Sequence, residues 1–220
     1  MVSSTADKPR EIVVLVHGLY MHGLAMLPLS HWMRACGFLT RQFSYPALTR
    51  SVPDNATRLA DFLRTIDTPT VHFLCHSLGG LVVRAMMLQC NWQRPGRVLT
   101  LGTPHLGSYV ARRLGAHRAL AWAVGRSLHH GLDGDLPPWP NDREVATIAG
   151  IRSIGAGRIV AGLPKPNDGV VALAETDLGP QFQRVVLPEA HSSMLISRRV
   201  ARYACAYMKT GAFPDSDTVL

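Results

Sequence analysis

A serine hydroxyl becomes a nucleophile at neutral pH only when a neighbouring base takes its proton. The segment Cys75-His76-Ser77-Leu78-Gly79-Gly80 has the residues to hold such a serine on a rigid turn. Before it, Val71-His72-Phe73-Leu74 reads as a buried strand, and residues 78–90 read as a helix that begins where the strand stops. A strand that turns sharply into a helix at a serine exposes the hydroxyl at the top of a sheet. Gly79 and Gly80 suit that turn, because a helix without side chains there can pack close to the strand. Cys75 takes the first place of the G-x-S-x-G pattern, where glycine is usual, and is small enough to stand in for it. The pattern alone is weak evidence; its strand-to-helix setting carries more weight.

Histidine has the right pKa to act as the base, and a carboxylate must then orient its imidazole. The turn resembles that of the α/β-hydrolase superfamily, and this resemblance implies that the acid and the histidine follow later in the chain, in that order. Of the ten histidines, His191 alone follows the final predicted strand, although a loop histidine beside a helix cap at Ser192 or Ser193 is the plainer alternative. The carboxylates between are Asp133, Asp135, Asp142, Glu144, Asp168, Glu175, Asp177 and Glu189. Asp168, in Asn167-Asp168-Gly169-Val170-Val171, follows the penultimate predicted strand and is the expected acid, with Glu175 and Asp177 in reserve. Asn-Asp-Gly is also an ordinary turn sequence.

Acyl transfer further needs N–H donors for the oxyanion of its tetrahedral intermediate. One is expected from Leu78, the residue after the serine, and the other from Leu19, in the loop Val16-His17-Gly18-Leu19-Tyr20 that follows the first strand. His17, His76 and His105 then become hydrogen-bonding structural residues. Tyr20, Met21 and Trp139 are the foremost candidates for an apolar substrate pocket, with Leu24, Met26 and Leu136; plain core packing accounts for them equally well.

The elements that must position these residues are legible as an alternation. Strands are expected at Ile12–Val16, Leu39–Phe43, Val71–Leu74, Val98–Leu101, Ile151–Ile154 and Arg184–Leu187, with helices at about 24–36, 54–66, 78–90, 107–120 and 193–208. That order predicts an α/β fold, a mostly parallel sheet of about six strands with helices on both faces. Ligands of such sheets bind beyond the carboxyl ends of the strands, which is where the serine, the acid, the histidine and the Leu19 loop all fall. Residues 121–147, with His129-His130, Asp133-Gly134-Asp135 and Pro137-Pro138-Trp139-Pro140, read as an irregular, lid-like insertion in a single domain spanning 1–220.

The 220 residues suffice for one large core, and a hydrophobic content of 47% excludes a disordered chain. The net charge of +8 is spread without runs, which argues against nucleic acid and leaves weak attraction to a membrane surface open. Ile12–Val16 is too short for a signal-peptide core or a membrane span, so a cytoplasmic location is expected. Cys36, Cys75, Cys90 and Cys205 are scattered, without C-x-x-C spacing, and read as buried free thiols. No metal or organic cofactor is required by this chemistry, and no calcium ligand set is recognisable.

Together, His17-Gly18-Leu19, the segment 75–80, Gly102-Thr103-Pro104-His105-Leu106-Gly107-Ser108, the segment 167–171 and His191 resemble a small bacterial lipase or esterase of the α/β-hydrolase superfamily. They are also similar to the lipase-like hydrolases related to enzymes that deacylate glycolipid anchors. The resemblance runs from about residue 11 to 208, and the order of five motifs is more specific than any one of them. It implies a serine hydrolase acting on acyl esters or lipids through Ser77, His191 and Asp168. Thioesterase or acyltransferase activity with the same residues, and a non-catalytic ligand-binding role on the same fold, stay open. The single glycine before Leu19, in place of H-G-G-G, matches lipases that often favour medium acyl chains. The short N-terminal stretch implies a minimal six-stranded core without the two leading strands of the larger fold.

Overall fold

The computed structural model describes residues 11–140, 143–155 and 162–215; Asp142, among the candidate acids, lies outside them, as do Lys8, Pro9 and Arg10. Six strands form one sheet: β1 Ile12–Val16, β2 Leu39–Phe43, β3 Val71–His76, β4 Val98–Leu101, β5 Val145–Gly150 and β6 Gln183–Leu187. Their order is β2-β1-β3-β4-β5-β6 and every neighbouring pair is parallel. Five helices connect or flank them: α1 Leu27–Ala35, α2 Val52–Arg64, α3 Leu78–Cys90, α4 Tyr109–Gly115 and α5 Arg198–Thr210.

The side-chain alternation of a strand explains why helices cover both faces. Ile12, Val14 and Val16 of β1 point into a core shared with α2 and α3, while Val13 and Leu15 point into a second core with α1 and α5. A strand apolar on both sides can exist only between two layers, which is the mark of a parallel sheet. The edge strands β2 and β6 are correspondingly half polar and partly exposed. Capping sets the helix starts: Ser51 and Asp54 form a capping box on α2, and the Ser197 hydroxyl accepts from the Val200 N–H on α5.

Three expectations are corrected. The fifth strand is Val145–Gly150, not 151–154; Ile151 and Ile154 are exposed, whereas all six residues of β5 are buried. Its Ala-Thr-Ile-Ala-Gly run is short of bulky apolar groups, because the sheet is crowded from both sides there. The irregular insertion therefore ends before Val145, and α4 covers only part of the helix expected at 107–120. The four cysteines are not all free. Cys36, at the end of α1, and Cys205, in α5, form a disulfide that ties together the two helices of one face; Cys75 is a buried thiol and Cys90 an exposed one. Disulfides persist in oxidising compartments, so the cysteines give no support to a cytoplasmic location. Among the described residues, no helix is long and apolar enough to cross a membrane.

The chain reverses its winding between β1 and β3, which lie side by side although α1, β2 and α2 separate them in sequence. Such a switch point opens a crevice at the carboxyl ends of the two strands. The Leu19 loop leaves β1 there, and Ser77 leaves β3.

Candidate active site

Ser77 stands between β3 and α3 at φ 53°, ψ −123°, a region that non-glycine residues rarely adopt and that costs roughly 1–3 kcal/mol. Its neighbours hold it there. The Ser77 N–H donates to Leu101 O at 2.8 Å, and the Thr103 hydroxyl donates to Ser77 O at 2.7 Å. The helix after it can approach only because two side chains are missing. A Cβ on Gly79 would lie 2.4 Å from Val16 O, and one on Gly80 would lie 2.4 Å from Thr103 Oγ1. Cys75 sits one strand residue lower, fully buried in the core with α2 and α3, and burial pushes its thiol pKa far up. It is an inert small residue under the turn.

His191, in the loop between β6 and α5, bonds through Nδ1 to Asp168 Oδ2 at 2.6 Å. Asp168 is buried and its other oxygen, Oδ1, accepts from the N–H groups of Val170 and Val171 at 2.9 and 2.7 Å, so the carboxylate is fixed in one orientation. Backbone bonds stitch the same residues together: His191 N–H donates to Asp168 O at 2.9 Å, and His76 Nε2 donates to His191 O at 3.0 Å. Asp168 reaches this point across the end of β5, where a Cβ on Gly150 would approach its own Cβ to 2.9 Å. Gly102, at φ 57°, is equally enclosed, with a Cβ placed 3.0 Å from both Asp168 Oδ2 and His191 Nδ1. The sequence places Gly102 at the head of the segment 102–108 and leaves Gly150 unmarked; a glycine at the carboxyl end of a strand next to a chemically loaded loop is the signal it offers.

Burial opposes the charged form of three histidines near the site. Burial, with lesser help from the nearby His191, pushes the His76 pKa down to about 3, and burial with the Arg84 charge does the same to His105. His17 is lowered by burial as well, and its bonding has a consequence. The Tyr45 N–H donates to His17 Nε2 at 3.2 Å, so the ring proton must sit on Nδ1, which then donates to Gly18 O at 2.8 Å. A trans peptide points its carbonyl and its N–H in opposite directions. Pinning Gly18 O against His17 therefore turns the Leu19 N–H away from His17. Tyr45 OH, donating to His17 O at 2.7 Å, locks the same loop from the other end.

Ser77, His191, His76, Leu19 and Leu78 all line one cavity of about 480 Å³, whose remaining wall is mostly apolar and includes Leu114, Leu132 and Val171. Tyr20 and Met21 also line it. Trp139 does not: it is buried in the α2/α3 core, its indole N–H facing His105, and borders a separate cavity beside Arg84. Met26 is buried in the opposite core and Leu24 is exposed. The reserve acids are occupied elsewhere. Glu175 accepts from the Tyr109 and Ala172 N–H groups, and Asp177 accepts from Gly179 N–H and lies 3.8 Å from Arg184.

No family model and no curated protein matches this sequence. Solved structures do. The mature lipase BlEst2 of Bacillus licheniformis superposes with a TM-score of 0.74 at 20% identity, over 94% of this chain and 94% of that one. The chain has the α/β-hydrolase fold. The metagenomic carboxyl esterase MGS0156 gives a TM-score of 0.66 at 17% identity, over 93% of this chain and 75% of that one. The thioesterase RedJ of Streptomyces coelicolor gives 0.61 at 14% identity, over 91% and 85%. The cavity of this chain lies at the carboxyl ends of β1 and β3, where the Leu19 loop and Ser77 leave the sheet.

Proposed function

We propose that the protein is a serine hydrolase of carboxylic esters, working through an acyl-enzyme on Ser77. The observation that carries this reading is the 2.6 Å His191–Asp168 bond on the wall of the cavity that also holds Ser77 on its strained turn. In the first half-reaction Ser77 Oγ attacks the acyl carbonyl while His191 Nε2 takes its proton, and Asp168 stabilises the imidazolium that forms. The carbonyl oxygen becomes an anion between the N–H groups of Leu19 and Leu78, the latter at the positive end of α3. His191 then protonates the departing alcohol. In the second half, His191 deprotonates a water that attacks the acyl carbonyl, and Ser77 leaves with the proton returned to it. No step calls on a metal or cofactor.

The apolar wall favours a hydrophobic acyl group over a sugar or a peptide. The likeness to RedJ, a thioesterase, supports including acyl thioesters in the test, since thiol and alcohol leaving groups use the same residues. The experiment is turnover of nitrophenyl esters of increasing chain length and of matched thioesters, with fluorophosphonate labelling in parallel. Ser77→Ala should lose labelling and about 10⁴- to 10⁶-fold in kcat. Undiminished turnover in that variant would refute the reading.

A further inference from the structure

We infer that the wall of the cavity formed by residues 109–126 is a docking surface for an anionic lipid bilayer. This deepens the ester hydrolase reading, since it says from what kind of surface the substrate is taken, but the binding it predicts needs no turnover. The sequence holds no aspartate or glutamate between Asp67 and Asp133, a stretch that includes all of α4 and the turns after it. Its cations remain: Arg113 and Arg118 are exposed and have no ion pair among the described residues. Beside them, large apolar groups face solvent. Trp122 is 74% exposed and Leu120 42%, on the turn whose Ala123 lines the cavity.

The same pattern continues across the mouth. Tyr20 and Ile154 line the cavity and are 61% and 52% exposed, and Arg152 stands exposed just before Ile154. The Tyr20 hydroxyl donates to Ala123 O, so the two sides of the mouth are joined on one rigid rim. Water-facing tryptophan, tyrosine and leucine interleaved with unpaired arginines is an unfavourable surface for a protein alone in solution. It matches the headgroup region of a membrane, where aromatic rings settle and anionic lipids attract arginine. A neutral apolar partner would leave the arginines without counter-charges, and nucleic acid would leave the leucine and the isoleucine in water. The orientation follows: with this rim on the bilayer, the cavity mouth faces the lipids.

The test is co-sedimentation with vesicles of phosphatidylcholine and with vesicles in which half the lipid is phosphatidylglycerol, while Trp122 fluorescence is followed. The protein should bind the anionic vesicles, release from them as salt is raised, and blue-shift on binding. Arg113→Gln with Arg118→Gln should weaken that binding roughly 30-fold, taking about five-fold for each arginine near an anionic surface. Trp122→Ser should bind more weakly and lose the shift. Turnover of a water-soluble short-chain ester should be unchanged in these variants, which checks their folding and the site. Equal binding to both vesicle types, wild-type binding by the arginine variant, or self-association that buries Trp122 without lipid would each overturn the inference. Absence of soluble-ester turnover in the wild type would count against the hydrolase reading instead, and leave vesicle binding to decide this one.

Discussion

Acidification from pH 7 to pH 5 should destabilise this protein by about 4 kcal/mol. The cause is a pair of histidines that the fold keeps neutral. His76 and His105 are almost completely buried, and their pKa values are pushed down to about 3, against about 6.5 in an unfolded chain. Between those two values the unfolded state binds more protons than the native one, so stability rises with pH and falls on acidification. At pH 5 each histidine favours unfolding by RT ln(1 + 10^1.5), about 2 kcal/mol, and the pair by about 4. His17 and His72, also lowered by burial, act in the same direction. Glu175, whose carboxyl is raised by burial, acts oppositely, because its native state takes up the proton first as pH falls. For a domain of this size 1 kcal/mol moves Tm by about 2–4 °C, so the melting temperature should drop by roughly 10 °C or more. Differential scanning calorimetry at the two pH values measures it. The drop should shrink by about half in His105→Gln, and because the comparison is between two pH values, any packing defect of the variant cancels. A melting temperature that stays level from pH 7 to pH 5 would show that His76 and His105 gain protons in place, and would refute the reasoning.

Three further outcomes follow from the site and its supports. Gly102→Ala places a Cβ 3.0 Å from both Asp168 Oδ2 and His191 Nδ1 at a backbone φ of 57°, so ester turnover should fall about 100-fold with KM little changed, as steady-state kinetics would show. His17→Phe removes the donor that holds Gly18 O; the freed Leu19 peptide should lower kcat by up to roughly 10²–10³, the effect of losing one oxyanion donor, while fluorophosphonate labelling slows and the fold survives by circular dichroism. Reducing the Cys36–Cys205 disulfide, or Cys36→Ser, opens a loop closed over a sequence separation of 169; guanidinium titration should show a loss of about 2–5 kcal/mol, and an unchanged midpoint would mean that chain entropy is not what the bond constrains.

What could be read from the sequence followed from how strongly each segment is forced. β1, β2 and β4 are bounded as their apolar runs predict, because a strand covered on both faces, or one ending against the core at Phe43, has no freedom to shift. β5 was hidden by its own position. Its Gly150 has no room for a side chain, because Glu189, Met194 and Asp168 crowd it, and small residues such as Ala146, Ala149 and Gly150 carry little strand signal. The expectation for Asp168 rests on a strand at 151–154 that does not form; the residue lies against Gly150 at the end of β5 and bonds His191. Long-range pairings left no local trace. Nothing near Cys36 points to Cys205, and nothing near Trp139 says that its indole turns toward His105 in the core rather than into the cavity with Ser77.

Residue type could not choose among ten histidines, but the state of their nitrogens can. An imidazole with both nitrogens bonded to the fold is a strut, since taking a proton from a substrate or a serine would break one of its bonds. His17 is such a strut between Tyr45 N–H and Gly18 O, His72 between Glu11 and the Arg97 N–H, and His105 between Thr100 and Trp139. His76 has one nitrogen on His191 O and the other buried without a partner among the described residues. His191 differs from all four: its Nδ1 is held by a carboxylate that is itself fixed, and its ring forms part of the wall beside Ser77. A strut resists a second proton, because both of its nitrogens are engaged and burial opposes the charge. That contrast, more than the order of motifs, is why the base is sought at His191, and it ties function to stability: the burial that keeps the struts neutral and the loops rigid is the same burial that makes the protein sensitive to acid.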